Sequence, residues 1–120
     1  MSHETQISPE DHRRLEHMRK AASDAIRVLG KRDASQLDSD MVRSRALVNC
    51  FTEIGEAAAR VTQAGRRQAA AIPWTEIIGM RNIVVHVYWG IDLSELVKTV
   101  RNDLPKLLSV LDGLLKKRSS

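Results

Sequence analysis

Apolar residues recur along this chain at spacings of three and four almost from end to end. Leu15, Met18, Ala22, Ile26 and Leu29 fall on one helical face. Ser8-Pro9-Glu10-Asp11 opens that helix with a capping serine, a proline at the first helical position and acids in the first turn, and Gly30 closes it. Residues 30–39 are polar and turn-rich, and read as a loop. A second helix is predicted from Asp40, with Val42, Ala46, Leu47, Cys50, Ile54, Ala57, Ala58 and Val61 on one broad face. Residues 65–71 fit no period and read as a connector holding at most a short helical piece. A third helix should begin at Ile72-Pro73-Trp74-Thr75 and end near Trp89, with Gly90 as its stop and Asp92 capping the next element. Leu93, Val97, Val100, Leu104, Leu107, Leu111 and Leu114 then step by four and three straight through Pro105. That seam predicts one long helix kinked near Pro105, or two abutting ones, because the proline cannot donate to the Arg101 carbonyl. No segment alternates as a strand does. The fold class predicted is all-α: an up-and-down bundle of four or five helices.

The third helix is unlike the others. At 100° per residue, Trp74, Ile77, Ile78, Arg81, Val85 and Tyr88 share one sector, and Met80, Ile83, Val84 and Val87 carry apolar surface much further round. Only Thr75, Gly79, Asn82 and His86 form a polar strip. A helix apolar around most of its girth needs cover on two sides, and a small bundle supplies one. A second copy of the chain is the natural source of the other. Gly79 would let another backbone approach closely.

The 120 residues suit one domain spanning 1–120, and 42% hydrophobic with 28% charged residues exclude a chain disordered by composition. No apolar run is long enough for a membrane span and the N-terminus has no signal-peptide core, so a cytoplasmic protein is expected. The single Cys50 excludes an internal disulfide and a cysteine-rich zinc site; it reads as a small packed apolar residue. No metal or cofactor is predicted. The net charge of +4 arises entirely in residues 61–120, which hold 9 Lys/Arg against 5 Asp/Glu. A nucleic-acid partner is admitted by that balance, whereas four aromatic positions, Phe51, Trp74, Tyr88 and Trp89, are too few for a stacking platform.

An arginine and a histidine held among apolar neighbours suggest chemistry. Arg81 stays charged and must find a carboxylate, carbonyls, water or a phosphate. His86 titrates near neutrality. Together they provide what phosphodiester cleavage without a metal requires: a cation for the phosphorane and a proton shuttle. Five residues apart, they diverge by about 140° on an ideal helix, so one helix does not easily aim both at one phosphate. Two antiparallel copies across a two-fold axis could. The spacing alone is one that chance produces often, and on generic grounds it favours an interface arginine paired to a glutamate beside a hydrogen-bonded histidine.

Arg81-Asn82-Ile83-Val84-Val85-His86-Val87-Tyr88 resembles the R-x4-H-x-Y signature of the HepT-like proteins of the HEPN superfamily. The resemblance runs through residues 72–93, includes Glu53-Ile54-Gly55-Glu56-Ala57-Ala58 and Asn102-Asp103-Leu104-Pro105, and covers roughly residues 9–115. It implies a HEPN-type bundle and a homodimeric ribonuclease toxin of a type VII toxin–antitoxin pair, metal-independent and without a cofactor. Arg81 and His86 would be catalytic, Asn82 supporting, and Tyr88 the site of adenylylation by a minimal nucleotidyltransferase antitoxin of the MntA kind. RNA would be the substrate. Glu53 and Glu56 would be either ordinary surface charge or support for the site, one of them as a partner for Arg81. His12 and His17 read as surface residues, His3 as part of a tail, and Lys116-Lys117-Arg118 as charge at a helix C-terminus. The alternative function is a non-catalytic helical module for nucleotide binding, partner binding or dimerisation. It would keep partner or nucleotide affinity without cleaving RNA.

Overall fold

The computed structural model describes residues 6–88 and 93–119, and the side chains of residues 6–82 and 93–116. Among these the chain is helical throughout, with no strand, as the periodicity predicts. The helices are α1 (Pro9–Leu29), α2 (Ala34–Asp38), α3 (Met41–Ala59), α4 (Gln63–Gln68), α5 (Trp74–Tyr88), α6 (Leu93–Lys98) and α7 (Leu104–Ser119).

α1 starts where its signals place it. The Ser8 hydroxyl accepts the Asp11 N–H at 3.1 Å, and the chain leaves the helix at Gly30, whose φ of 57° suits a residue without a Cβ. The segment expected to be a loop instead contains α2. Asp33 and Gln36 close a reciprocal capping box around it, and Leu37 anchors it with a fully buried side chain. Asp40 caps α3 by accepting the Arg43 N–H. Leu47, Cys50, Ile54, Ala57 and Ala58 are buried as expected, and Phe51 joins them. Val42 does not: with Met41 it is exposed in the first turn, before the helix reaches the core.

The seam through Pro105 is resolved by a π-helical turn over Thr99–Asp103 that joins α6 to α7. The Leu104 N–H bonds to the Thr99 carbonyl, five residues back rather than four. The wider turn takes up the proline immediately before its ring would meet the preceding turn. Of the predicted seam, Val100, Leu104, Leu107 and Leu111 are buried, whereas Leu93, Val97 and Leu114 are only partly so, and Leu96, one residue from the expected Val97, takes the buried place in α6. Arg101, projecting from the π turn, donates to the carbonyls of Gly30 and Arg32 and ties this joint to the end of α1.

α1 and α3 pack side by side, with Arg43 Nη1 donating to the Val28 carbonyl at 3.3 Å where the end of α1 meets the start of α3. α7 packs along the other flank of α1, where Arg19 meets Asp112 at 3.5 Å. α5 packs on the outer side of α3 and touches α6 only slightly. The lateral order is therefore α5–α3–α1–α7, and α5 is an edge helix. Among the described residues, no helix is long and apolar enough to cross a membrane.

Candidate functional site

The corner between α3 and α5 is fixed by a short polar chain. Asp11, only 2% exposed, accepts both the Thr62 N–H at 3.0 Å and the Thr62 hydroxyl at 2.5 Å. Thr62 in turn caps α4 by accepting the Gly65 N–H at 3.0 Å. A Cβ on Gly65 would collide with the Asp11 carboxylate, so glycine permits this contact. Arg66 donates to the carbonyls of Val61 and Ala59, which the end of α3 leaves without helical partners, and lies 5.8 Å from the centre of the Trp74 ring. The Trp74 indole N–H donates to the Ala69 carbonyl at 3.1 Å. The start of α5 is thereby held at a set place beside the end of α3.

About two turns further on, Arg81 of α5 packs against Gly55 of α3. A Cβ on Gly55 would collide with Cγ of Arg81, and would stand 3.1 Å from its Cδ and 3.2 Å from its backbone nitrogen. The Arg81 stem thus runs across a gap that only glycine leaves open. Its guanidinium Nη1 donates to Glu56 Oε2 at 3.5 Å. The two side chains are 41% and 50% exposed, so the pair sits at the surface with room for a further ligand. The apolar stripe predicts an arginine off the solvated face; the structure instead packs only its stem between helices and leaves its charged end in water.

The described part of the polar strip faces outward. Thr75 and Asn82 are exposed, and a Cβ on Gly79 would meet nothing within 4 Å. Ile77 and Met80 are buried, and Trp74 and Ile78 pack partly against the core. Beyond Gly79, a groove of about 620 Å³ separates α5 from α6, the π turn and α7, with Ile72, Ile77, Met80, Leu107 and Val110 in its lining. His86 and Tyr88 belong to α5, but their side chains, like that of Val85, lie outside the described residues. So do Trp89, Gly90, the expected cap Asp92 and the His3 tail. The structure therefore brings Arg81 to Glu56 and Gly55, and presents Asn82 on the open side of the same helix.

The two glutamates of α3 part company. Glu53 accepts from the Asn49 amide at 3.4 Å and lines a polar groove between α1 and α3 with His17, Lys20 and Asp24. Glu56 alone of the two meets Arg81. Cys50 is 7% exposed, and burial, followed by the charges of Asp24 and Glu53, pushes its thiol up to about 11. That is an inert, packed cysteine, as its sequence context implies. His12 stands 3.8 Å from Glu16 on the same helix, and His17 is exposed. Among the described residues, no group of three or more His, Cys, Asp or Glu side chains could hold a metal ion. Gly55 is the site residue that residue chemistry overlooks. Its signal was positional: a glycine inside a helix, between two glutamates, in a chain with an arginine seeking a partner.

Comparison with known proteins agrees with this architecture. Residues 18–114, which include all of α5, match the family described as ribonuclease HepT-like. A protein of Methanocaldococcus jannaschii named as a candidate RNase is 32% identical over 88 residues, which cover 73% of this chain and 81% of that protein. One of Thermococcus cleftensis, named "Probable ribonuclease HepT", is 35% identical over 71 residues, 59% of this chain and 64% of its own length. A candidate RNase of Caldanaerobacter subterraneus is 32% identical over 78 residues, 65% of this chain and 70% of its own. No solved structure matches the chain significantly. With an all-helical bundle, an R-x4-H-x-Y run on its edge helix and a family match over most of its length, the chain belongs to the HepT-like ribonucleases of the HEPN superfamily.

Proposed function

We propose that this protein is the toxin of a type VII toxin–antitoxin pair, a metal-independent RNA endonuclease that works as a homodimer and is silenced by adenylylation of Tyr88. The observation that carries the reading is the presentation of Arg81. This guanidinium reaches the surface across Gly55 and keeps over a third of its side chain in water, so that its charge is open to an arriving anion. RNA supplies the phosphate that such a group takes.

In this reading Arg81 stabilises the charge on the phosphorane and His86 moves the proton between the 2′-hydroxyl and the leaving 5′-oxygen. The 140° divergence of the two positions on one helix favours a site built from both copies of α5, with Asn82 of the exposed strip beside it. A nucleotidyl group on Tyr88, about 20° from the Arg81 sector, would add phosphate charge and bulk where the substrate must lie. A minimal nucleotidyltransferase of the MntA kind is the antitoxin that fits this chemistry.

Arg81→Ala and His86→Ala should each abolish growth inhibition and RNA cleavage with the helical content unchanged, the loss for His86 being at least about 10²-fold. Cleavage should survive a chelator and leave a cyclic or 3′-phosphate. Full activity in His86→Ala, or dependence on a divalent ion, would remove the mechanism. Tyr88→Phe should retain nuclease activity and escape modification. Absence of added AMP on Tyr88, by mass spectrometry after incubation with the cognate antitoxin and ATP, would move the switch elsewhere.

A further inference from the structure

The Arg81 side chain has long flexible torsions, and an arginine of this kind at a surface ordinarily samples many directions. Here two features of α3 restrict it. Gly55 leaves space that the stem fills, so Cγ and Cδ are confined between two helix backbones. Glu56, the next residue, takes the guanidinium at 3.5 Å. A carboxylate and a phosphate each offer two oxygens that can accept the paired N–H donors of a guanidinium. Glu56 therefore occupies in the free protein a place that RNA phosphate could contest.

Resting on the ribonuclease reading above, we propose that Gly55 and Glu56 form a seat that aims Arg81, with Glu56 acting as a positioning residue for the substrate phosphate. Two opposed consequences follow. The ion pair keeps the guanidinium pre-oriented, which speeds the chemical step. The same carboxylate repels an arriving phosphate, which weakens binding of RNA in the ground state. Removal of Glu56 lowers turnover while tightening RNA binding, a split that a folding defect does not produce.

The test uses the full-length protein, a short single-stranded RNA as substrate and its uncleavable 2′-deoxy counterpart as ligand. In Glu56→Ala, kcat should fall about 10-fold and the 2′-deoxy oligonucleotide should bind about 3-fold tighter. Glu56→Gln, which keeps an acceptor oxygen, should hold kcat within about 3-fold of the parent while still binding more tightly. The Nε–Hε resonance of Arg81 should shift in Glu56→Ala and in Gly55→Ala, with the remaining arginine signals in place. Unchanged kcat in Glu56→Ala, or weaker binding, overturns the proposal. A parent protein that cleaves no RNA refutes the ribonuclease reading instead, and the seat is then judged by the resonance: an Arg81 signal indifferent to both substitutions overturns it too.

Discussion

At the residue scale, the decisive contacts are made by side chains that are small or absent. Gly55 brings α3 and α5 together at Arg81, and Gly65 brings α4 onto Asp11. Gly55→Ala should lose about 1–3 kcal/mol to overpacking and regain up to about 1 kcal/mol of helix propensity, so the thermal midpoint should fall or at most hold, without change in the far-UV spectrum at low temperature. A raised midpoint would mean that Arg81 swings aside freely and has no fixed seat. Cys50 makes the opposite kind of prediction. With its thiol held near 11 by burial, only about one molecule in a thousand carries a thiolate at pH 8. Iodoacetamide should leave the native protein unlabelled over a time in which the unfolded chain reacts fully. The sequence located both candidate glutamates and the arginine, but not their pairing. Glu53 and Glu56 differ by three residues, and only the rotation of α3 against its neighbours decides which one faces α5.

At the element scale, legibility follows length. α1, α3 and α5 run for 21, 19 and 15 residues, long enough for a 3.6-residue period to declare itself. α2 has five residues and no period. What marks it is chemistry, the Asp33 and Gln36 capping box, in a stretch whose polarity otherwise suggests a loop. Its caps hold the Asp33 carboxyl below the usual range, chiefly through the Gln36 N–H and then the Ser35 hydroxyl. Pro105 signalled an irregularity but not its form, since a kink and a π turn answer the same missing donor. The α1–α4 pin was invisible for a different reason: Asp11 and Thr62 stand 51 residues apart, and each looks like a helix cap. Asp11→Ala would remove the acceptor of the Thr62 N–H and hydroxyl; Thr62 itself is exposed, so the loss is that of two hydrogen bonds to a carboxylate, roughly 1–3 kcal/mol. Chemical denaturation should show a lower midpoint with an unchanged slope. A difference under about 0.5 kcal/mol would mean that water replaces the carboxylate and that the corner is held by the Arg66 and Trp74 contacts alone.

At the scale of the whole molecule, the lateral order α5–α3–α1–α7 explains why the most apolar helix stands at an edge. A body of 55 × 24 × 19 Å is too thin to surround α5, and the groove between it and α7 leaves its Gly79 side open. This is the structural side of the expectation that a second chain completes it. Gly79 offers a clean probe, because a Cβ there meets nothing within 4 Å in the single chain. Gly79→Arg should leave the fold intact and even favour the isolated helix, by up to about 1 kcal/mol relative to glycine. If the two-fold interface runs along Thr75, Gly79 and Asn82, the same arginine is driven into its own symmetry mate, where like charges and lost packing oppose association. Light scattering should then show the parent as a dimer and Gly79→Arg as a monomer at micromolar concentration. Circular dichroism should be the same for both. If the proposed two-copy site is right, RNA cleavage should disappear with the dimer, because positions five residues apart diverge by about 140° on an ideal helix. A variant that stays dimeric places the interface on another face, and a monomer that still cleaves RNA shows that one copy of α5 suffices.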